Sequence, residues 1–309
     1  MLAGETCRQF MKQAFFTLCP LCQARHFVSK YELKTVKVFQ CVRCAMIFLN
    51  PYTPSSEMAA VYSDSESMEH ANSRLAHYYD WLEGSETEKF YDGCLERLSR
   101  LFSPATERSL LDVGCGNGHF LSRAKQKGWI VTGIEPSLSS SRLARENYEI
   151  NVVTTDFESY HGSESFDCVS LWDFIEHVSN PAEVLVKVRS LLKPGGIVLI
   201  ATPDNYSLIN FLADVIYQTS LHAIERPLQI LFVPEHILYF TDATLKELVE
   251  RSGFVMLDKV KAGTDINRYN IGWVFSVTAK ALLALSSWLR WENRILVFGR
   301  KTGIEVSRG

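Results

Sequence analysis

Two pairs of closely spaced cysteines near the N-terminus constrain the fold of this 309-residue chain more than any other feature of its sequence. The pairs have the spacing C-x2-C-x18-C-x2-C and consist of Cys19, Cys22, Cys41 and Cys44. Each C-x2-C turn directs two thiolates toward one point, and two such turns complete a tetrahedral zinc site. Because so short a segment has no core of its own, metal binding would supply its folding free energy. The spacing therefore predicts a structural Zn2+ ribbon over residues 1–50.

Disulfide bonds or a redox-active C-x-x-C pair are the alternatives to zinc. Disulfides persist in oxidising compartments. The first residues, however, lack the basic segment followed by an apolar stretch that is typical of a secretory signal. Four further cysteines show no evident pairing: Cys7, Cys94, Cys115 and Cys168. These observations favour zinc and a cytoplasmic, reducing compartment.

The charge of the chain argues against a nucleic-acid partner. The formal net charge is -3, and the 47% hydrophobic content is ordinary for a globular protein. Residues 1–50 carry seven Lys and Arg against two Glu, a balance of +5 that a Zn2+ ion on four thiolates reduces to about +3. A ribbon that packs on a catalytic domain or covers its substrate is therefore favoured over one that guides the enzyme to nucleic acid.

The remainder of the chain divides by its hydrophobic pattern. A turn-rich linker at 50–56 precedes apolar positions at helical spacing over 57–102, and from Ser109 short apolar runs alternate with helical segments. Such alternation predicts an α/β fold with a parallel sheet wound by right-handed crossovers. The predicted organisation is a zinc-ribbon module at 1–50, a helical linker or cap at 51–104, and an α/β domain at 105–309 with apolar insertions at 205–233 and 262–292.

A glycine-rich turn follows the first predicted strand of the α/β domain, at Leu111–Gly118. His119 stands where a dinucleotide-binding G-x-G-x-x-G loop would have its third glycine, so the loop is not tailored to a pyrophosphate. Glu135 ends the second strand, where a carboxylate can accept bonds from both ribose hydroxyls. Asp156 ends the third strand and could accept a bond from an adenine amino group, with Phe157 beside the ring. The pattern predicts a site for a nucleoside that carries an amino acid.

Three further segments complete a family resemblance. Residues 110–204 resemble the class I S-adenosylmethionine-dependent methyltransferases, in the branch that includes ubiquinone-type O-methyltransferases. The segments Phe166–Trp172, Glu176–Pro181 and Pro234–Thr241 resemble this branch's fourth strand, its E-H-V-x-D/N-P segment and its P-x-H-x-x-x-(F/Y)-(S/T) segment. The resemblance implies a doubly wound, seven-stranded sheet in the order 3-2-1-4-5-7-6, with strand 7 antiparallel.

The resemblance also implies S-adenosylmethionine as the cofactor and assigns its contacts. Glycines of the turn would line the methionine and ribose portions, and Trp172 would pack near the sulfonium or adenine, although a core position is an equal alternative for this side chain. The implied cofactor-binding residues are Asp112, Gly114, Cys115, Gly116, Gly118, Glu135, Pro136, Asp156, Phe157 and Trp172.

Methyl transfer to a hydroxyl also requires a group that removes the acceptor's proton. His177 follows the fourth strand at the edge of the sheet where ligands bind, and histidine suits this task near neutral pH. Glu176 could orient the imidazole, polarise the acceptor or join His177 in holding a divalent metal. His236 is the second candidate for the base. A capping and surface role is the structural alternative for Glu176 and His177.

These assignments predict O-methylation of a hydroxyl on a small-molecule, sugar, quinone-like or lipid-linked acceptor. Three alternatives stay open. The four-cysteine ribbon on such a domain resembles the deoxysugar C-methyltransferases, the ribbon could guide a nucleic-acid methyltransferase, and the cofactor fold could serve as a non-catalytic scaffold.

The two apolar insertions contain segments that resemble membrane-associated helices. Residues 271–289 carry a single charge, Lys280, and nearly reach the length of a membrane span. A central lysine costs about 2.5–3.5 kcal/mol on insertion, and the segment falls between two predicted strands of one sheet. We therefore expect a lid or interface helix that rests on a membrane surface, with residues 207–232 as its other half. Core packing and a homodimer surface are the alternatives.

Overall fold

The computed structural model describes residues 12–54, 85–102, 107–265 and 273–303. Cys7, most of the predicted helical segment at 57–102 and the start of the predicted lid at 271–272 lie outside the described residues. The strands are β1 Phe27–Glu32, β2 Lys37–Cys41, β3 Ile47–Leu49, β4 Arg108–Val113, β5 Trp129–Ile134, β6 Asn151–Val153, β7 Phe166–Trp172, β8 Leu192–Pro203, β9 Leu238–Tyr239, β10 Phe254–Ala262 and β11 Arg294–Lys301. The helices are α1 Glu86–Arg100, α2 His119–Gln126, α3 Leu138–Tyr148, α4 Pro181–Leu191, α5 Leu208–Thr219, α6 Arg226–Leu231, α7 Asp242–Arg251 and α8 Trp273–Trp288, with a 3-10 turn at Ile175–His177.

Seven strands form the larger sheet, in the order β6-β5-β4-β7-β8-β11-β10. The five strands from β6 to β8 are parallel, and β11 runs antiparallel to both of its neighbours. In order of appearance this is 3-2-1-4-5-7-6 with strand 7 antiparallel, so the fold implied by the family resemblance is confirmed. The central strand β4 is buried on both faces from Leu110 to Val113, because helices cover both sides of the sheet.

Local sequence explains where the helices begin. The side chain of Asn180 accepts a hydrogen bond from the backbone N–H of Glu183, and Pro181 occupies the first turn of α4. Thr241 and Thr244 form a reciprocal capping box at the start of α7. These caps place the segments that precede both helices, 175–180 and 234–241, at the edge of the sheet where the parallel strands end.

The ribbon forms a second, antiparallel sheet in the order β1-β2-β3-β9. Its fourth strand comes from the α/β domain, because Ile47 pairs with Tyr239 and Phe48 pairs with Leu238. Phe48 and three of the ribbon cysteines belong to the same hydrophobic cluster as residues of the larger sheet, including Val113. The ribbon therefore packs on the α/β domain, and the division of the chain at residue 50 stays a prediction.

The first apolar insertion packs against the ribbon with one face. Tyr31 of β1 contacts the rings of Tyr217 and Phe232, and its hydroxyl donates to Oδ1 of Asp214 at 2.8 Å. The opposite face of α5 exposes Phe211. A lid was expected from the composition of this insertion, with core packing as the alternative. One face of the insertion does pack into the core beside the ribbon.

The second insertion contains α8, which lies beside α5. Its Trp288 is 79% exposed, and Val277 and Leu285 also face outward. Within the described ranges, no helix combines the length and the apolar character needed to cross a membrane.

Candidate functional site

The glycine turn lies between β4 and α2, at the carboxyl end of the sheet. Gly114, Gly116 and Gly118 have φ values of +73°, +53° and +81°, the left-handed region that favours glycine. The N–H of Gly114 donates to the carbonyl of Ile134 at 2.8 Å, which ties the turn to the end of β5. The turn therefore presents its backbone closely to whatever binds above the sheet.

Gly118 has the tightest surroundings of the three glycines. A Cβ at this position would lie 2.9 Å from Cβ of Ala144 and 3.0 Å from Cδ1 of Ile150, whereas a Cβ at Gly116 would meet no atom of the described residues within 4 Å. We expect Gly118→Ala to lower the free energy of unfolding by about 2–4 kcal/mol, since left-handed strain and overpacking add. Urea unfolding of the cofactor-free protein measures this, with Gly116→Ala as the matched control. Equal losses in the two variants would contradict the packing argument.

Glu135 sits directly beneath the glycine turn and is 9% exposed. Its Oε2 accepts from the N–H of Gly116 and its Oε1 accepts from the N–H of Ser137, both at 2.8 Å. Burial raises the pKa of this carboxyl, although the two N–H donors oppose the shift. Each oxygen keeps a free lone pair, so the carboxylate can shape the turn and also accept bonds from a ligand.

Asp112 is almost completely buried at the end of β4. Its Oδ1 accepts from the hydroxyl of Ser170 at 2.6 Å, and burial raises its pKa to about 7, opposed by that bond. Cys115, in the turn above, is also buried, and burial raises the pKa of its thiol. Both side chains are therefore buried at the base of the turn rather than exposed above it.

The two residues predicted to contact adenine, Asp156 and Phe157, lie in different environments. Asp156 is exposed and accepts from the N–H of Ser159 at 2.7 Å. Phe157 is instead buried, with its ring 6.0 Å from that of Phe174 and the Nζ of Lys187 4.9 Å from its centroid. Pro136 is exposed beyond the end of β5. The ring of Phe157 therefore belongs to the core, and Asp156 is left at the surface of this end of the site.

Trp172 ends β7 inside a group of aromatic rings. Its ring lies 4.8 Å from Phe120, 4.9 Å from Tyr91 and 5.9 Å from Phe90. The rings of Phe90, Tyr91 and Trp172, from α1 and β7, line a shallow cleft. The other side of the cleft is polar and is lined by Glu86, Thr87, Asp173, Thr264, Asp265 and Arg294.

Asp173 and Arg294 are two residues of this cleft that were not predicted from the sequence. Arg294, at the start of β11, forms an ion pair with Oδ1 of Asp173 at 2.6 Å, across 121 residues of sequence. Asp173 also has a positive φ of +47°, which is strained for a residue other than glycine. One signal in the sequence could have indicated Asp173 as a site residue, namely its position directly after the fourth strand. Arg294 had no such signal, because its pairing depends on the antiparallel last strand.

Glu176, His177 and His236 come together beside this cleft. The imidazole rings of His177 and His236 are 4.7 Å apart, and one ligand atom from each of the three residues lies within 4.8 Å of the others. Nδ1 of His177 lies 2.8 Å from the carbonyl oxygen of Glu235. Because a carbonyl can only accept, Nδ1 carries the proton and Nε2 keeps its lone pair.

Burial controls the ionisation of this cluster. It lowers the pKa of His177, and burial with the nearby His177 lowers the pKa of His236 to about 3, so both imidazoles are neutral at pH 7. Burial and the nearby Asp173 raise the pKa of Glu176 to about 8. Neither oxygen of the Glu176 carboxyl has a hydrogen-bond partner among the described residues. The two neutral imidazoles can accept a proton from a ligand. The Glu176 carboxyl is mostly protonated at pH 7, and it would have to release that proton to hold a divalent cation together with the imidazoles.

The four ribbon cysteines converge on one point. The Sγ atoms of Cys19 and Cys44 are 3.6 Å apart, and those of Cys22 and Cys41 are 3.5 Å apart. A tetrahedron with Zn–S bonds of 2.3 Å has edges of roughly 3.8 Å, so the four thiols fit a Zn2+ ion. The hydrogen bond from Cys44 lowers the pKa of the Cys19 thiol to about 5, despite burial.

A family model described as a methyltransferase domain matches residues 86–259, more than half of the chain. This range contains the glycine turn, Glu135, Asp156, Trp172 and the cluster of Glu176, His177 and His236.

Two of the relatives are bacterial ubiquinone biosynthesis O-methyltransferases. The protein from Paracidovorax citrulli is 31% identical over 140 residues, which are 42% of this chain and 58% of that protein. The protein from Histophilus somni is 28% identical over 119 residues, which are 35% of this chain and 50% of that protein. The chain thus matches little more than half the length of these two relatives.

The fold is also that of a solved methyltransferase. Magnesium protoporphyrin IX methyltransferase from Synechocystis PCC 6803, solved with bound SAH, aligns with a TM-score of 0.51 at 13% identity. The alignment covers 80% of this chain and 99% of that one. At this identity the likeness concerns the fold alone.

Proposed function

The chain belongs to the methyltransferase domain family, and from this membership we propose that it transfers the methyl group of S-adenosylmethionine to a hydroxyl of a small-molecule, sugar or lipid-linked acceptor. One observation supports a hydroxyl as the group that is methylated. His177, with its Nδ1 held by the carbonyl of Glu235, keeps an unprotonated Nε2 at the edge of the sheet where the glycine turn also lies.

The cofactor would be held by the glycine turn and the strand ends beside it. The backbone at Gly114, Gly116 and Gly118 can approach the methionine and ribose portions, and Glu135 keeps lone pairs for the ribose hydroxyls. Asp156 is exposed three residues beyond the end of β6, where it would be available to the adenine amino group. When bound, S-adenosylmethionine supplies an activated methyl group on a positively charged sulfur.

The acceptor would enter the cleft between α1 and the ends of β7 and β11. Its aromatic wall of Phe90, Tyr91 and Trp172 suits a planar or apolar part of the acceptor, and the Asp173–Arg294 pair offers polar contacts opposite it. Alignment of the acceptor oxygen with the methyl donor accounts for much of the rate in a displacement of this kind.

The chemical step would depend on His177. Nε2 would take the proton of the acceptor hydroxyl, and the neutral state of the imidazole at pH 7 leaves it ready to do so. Glu176 and His236 lie close enough to orient the acceptor, or to share a divalent cation that polarises its oxygen. The thiols of Cys19, Cys22, Cys41 and Cys44 would hold a structural Zn2+ away from this step.

The exposed apolar side chains of α5 and α8 support a lipid-linked acceptor. Phe211 and Ile216 on α5 and Val277, Leu285 and Trp288 on α8 face outward on neighbouring helices. Such a surface can rest on a membrane from which the acceptor is drawn, or pair with a second copy of the chain.

Transfer of an isotopically labelled methyl group from S-adenosylmethionine tests the proposal. The zinc-loaded protein is mixed with sugar, quinone-precursor and lipid-linked acceptors, each compared with the same acceptor whose hydroxyls are blocked. We expect label to enter an unblocked acceptor, and the NMR shift of the methyl carbon to show attachment to oxygen. Attachment to carbon, or transfer only to nucleic acid, would overturn O-methylation. Failure to bind the cofactor at millimolar concentration would overturn methyl transfer altogether.

A further inference from the structure

The segment 235–239 links the zinc ribbon to the residues proposed to act on the acceptor. It contains His236 and strand β9, and it lies between strand β3 of the ribbon and the turn at Ile175–His177. Both of its sides are bound by hydrogen bonds, so its position depends on both neighbours.

The first side faces the ribbon. β9 pairs with β3 through Ile47 with Tyr239 and Phe48 with Leu238. The N–H of Leu49 also donates to the carbonyl of Ile237 at 2.9 Å. Because these contacts are backbone pairings, they hold the path of the segment rather than one side chain.

The second side faces the proposed catalytic cluster. The N–H of Ile237 donates to the carbonyl of Glu176 at 2.9 Å, and His177 donates from Nδ1 to the carbonyl of Glu235 at 2.8 Å. The tautomer of His177 and the approach of His236 are therefore set by the same five-residue segment that the ribbon binds.

The ribbon's hold on this segment depends on its cysteine turns. β3 begins three residues after Cys44, and the N–H of Cys41 donates to the carbonyl of Met46 at 2.9 Å. Phe48 is fully buried, with its ring 5.4 Å from Phe16 and 5.2 Å from Phe27. So small a sheet needs the metal to maintain its shape.

The glycine turn is held by other contacts. The N–H groups of Gly114 and Cys115 donate to the carbonyl of Ile134, and that of Gly116 donates to Glu135. All of these partners belong to the α/β domain. A change in the ribbon can therefore reach the proposed acceptor chemistry and leave cofactor binding intact.

We propose that the zinc ribbon is a positioning element, which through the β3–β9 pairing holds His236 and the Glu176–His177 turn in their working arrangement. Phe48 is the positioning residue on the ribbon side, and Leu238 is its partner in the pairing. The inference rests on the proposed function in that it assigns the chemical step to this cluster.

The test uses the full-length, zinc-loaded chain and four variants. Phe48→Ala empties the ribbon core behind β3, Cys41→Ser removes one thiolate, and Phe48→Leu is the conservative variant expected to restore function. Val28→Ala is the matched control, since Val28 lies in the same ribbon on β1 and is 55% exposed. Three quantities are measured: amide hydrogen exchange of residues 235–239, the Kd of S-adenosylmethionine by calorimetry, and kcat at saturating acceptor.

We expect Phe48→Ala and Cys41→Ser to speed exchange at 235–239 by about tenfold or more, since the pairing strand is released. We expect kcat to fall about 30-fold or more as the cluster loses alignment. The Kd of S-adenosylmethionine should stay within about threefold, because the hydrogen bonds that hold Gly114, Cys115 and Gly116 come from Ile134 and Glu135 rather than from the ribbon. Phe48→Leu and Val28→Ala should resemble the unmodified protein in all three measurements.

Unchanged exchange at 235–239 in Phe48→Ala would overturn the coupling, whatever happens to kcat. A parallel loss of cofactor affinity would also overturn it, since the ribbon would then support the whole fold. Faster exchange with an undiminished kcat would overturn the catalytic assignment of the cluster, and with it the coupling. Normal binding of S-adenosylmethionine in every variant would leave the proposed cofactor site standing even where the coupling or the catalytic assignment of the cluster fails.

Discussion

Replacing His177 with alanine is expected to lower kcat by about 10²–10⁴-fold, the usual contribution of a positioned base. The physical reason is the geometry at Nε2, which is left unprotonated because Nδ1 donates to the carbonyl of Glu235 at 2.8 Å. Burial also lowers the pKa of His177 below its ordinary value, so the imidazole is neutral at pH 7. Steady-state kinetics with labelled S-adenosylmethionine measure the loss, and calorimetry should show a nearly unchanged cofactor affinity.

The pH profile provides a second readout for His177. A base must be unprotonated to act, so activity falls when the pH drops through its pKa. Because that pKa is lowered, we expect the acidic limb of kcat/KM to lie below pH 6.5 and to vanish in His177→Ala. His26→Ala is the control, since His26 is exposed on the ribbon. A His177→Ala variant with near-normal kcat would transfer the role to His236 or to a bound cation.

Replacing Glu135 with alanine is expected to raise the Kd of S-adenosylmethionine at least about tenfold, which corresponds to about 1.4 kcal/mol. Two effects contribute to this loss. The variant removes acceptors for the ribose hydroxyls, and it leaves the N–H groups of Gly116 and Ser137 without the carboxylate that accepts from them at 2.8 Å. Calorimetry with S-adenosylmethionine and its demethylated product measures the change.

A comparison of ligands separates the two effects of Glu135. The penalty should shrink for an analogue whose ribose lacks its hydroxyls, because that ligand never used the missing acceptors. Glu135→Gln is the matched variant, since it keeps the size of the side chain and one acceptor oxygen. An equal penalty for both ligands would limit Glu135 to shaping the turn, and an unchanged Kd would remove it from the site.

The elements of the α/β domain were predictable because their signals are local. The apolar runs at Leu110–Val113 and Cys168–Trp172 lie within β4 and β7. Asn180 and Pro181 are a helix start that can be read within four residues, and α4 begins at Pro181. The order of the seven strands followed from the family resemblance and not from these patterns. The sequence around β11 contains no local signal that it pairs between β8 and β10.

The site was predictable only in part. The position of Glu135 directly after β5 followed from the alternation of strands and helices. Asp156 was expected to end the third strand, but β6 already ends at Val153, three residues earlier. The direction of the neighbouring Phe157 side chain could not be predicted in this way. Its ring points into the core and packs near Phe174. The first insertion was also expected to form half of a lid, whereas one face of it packs against Tyr31 of the ribbon.

The spacing of the four ribbon cysteines was enough to predict that their thiols would converge. The alternation of short apolar runs with helical segments was enough to predict a parallel sheet with a glycine turn after its first strand. These properties depend on residues within a few positions of one another, whose spacing limits the backbone. Three contacts became visible only in the folded chain: the pairing of Asp173 with Arg294, the approach of His177 to His236, and the pairing of the ribbon with strand β9 of the α/β domain. Such contacts join residues far apart in the chain, and they arise from how the packed elements bury their apolar faces rather than from any local preference.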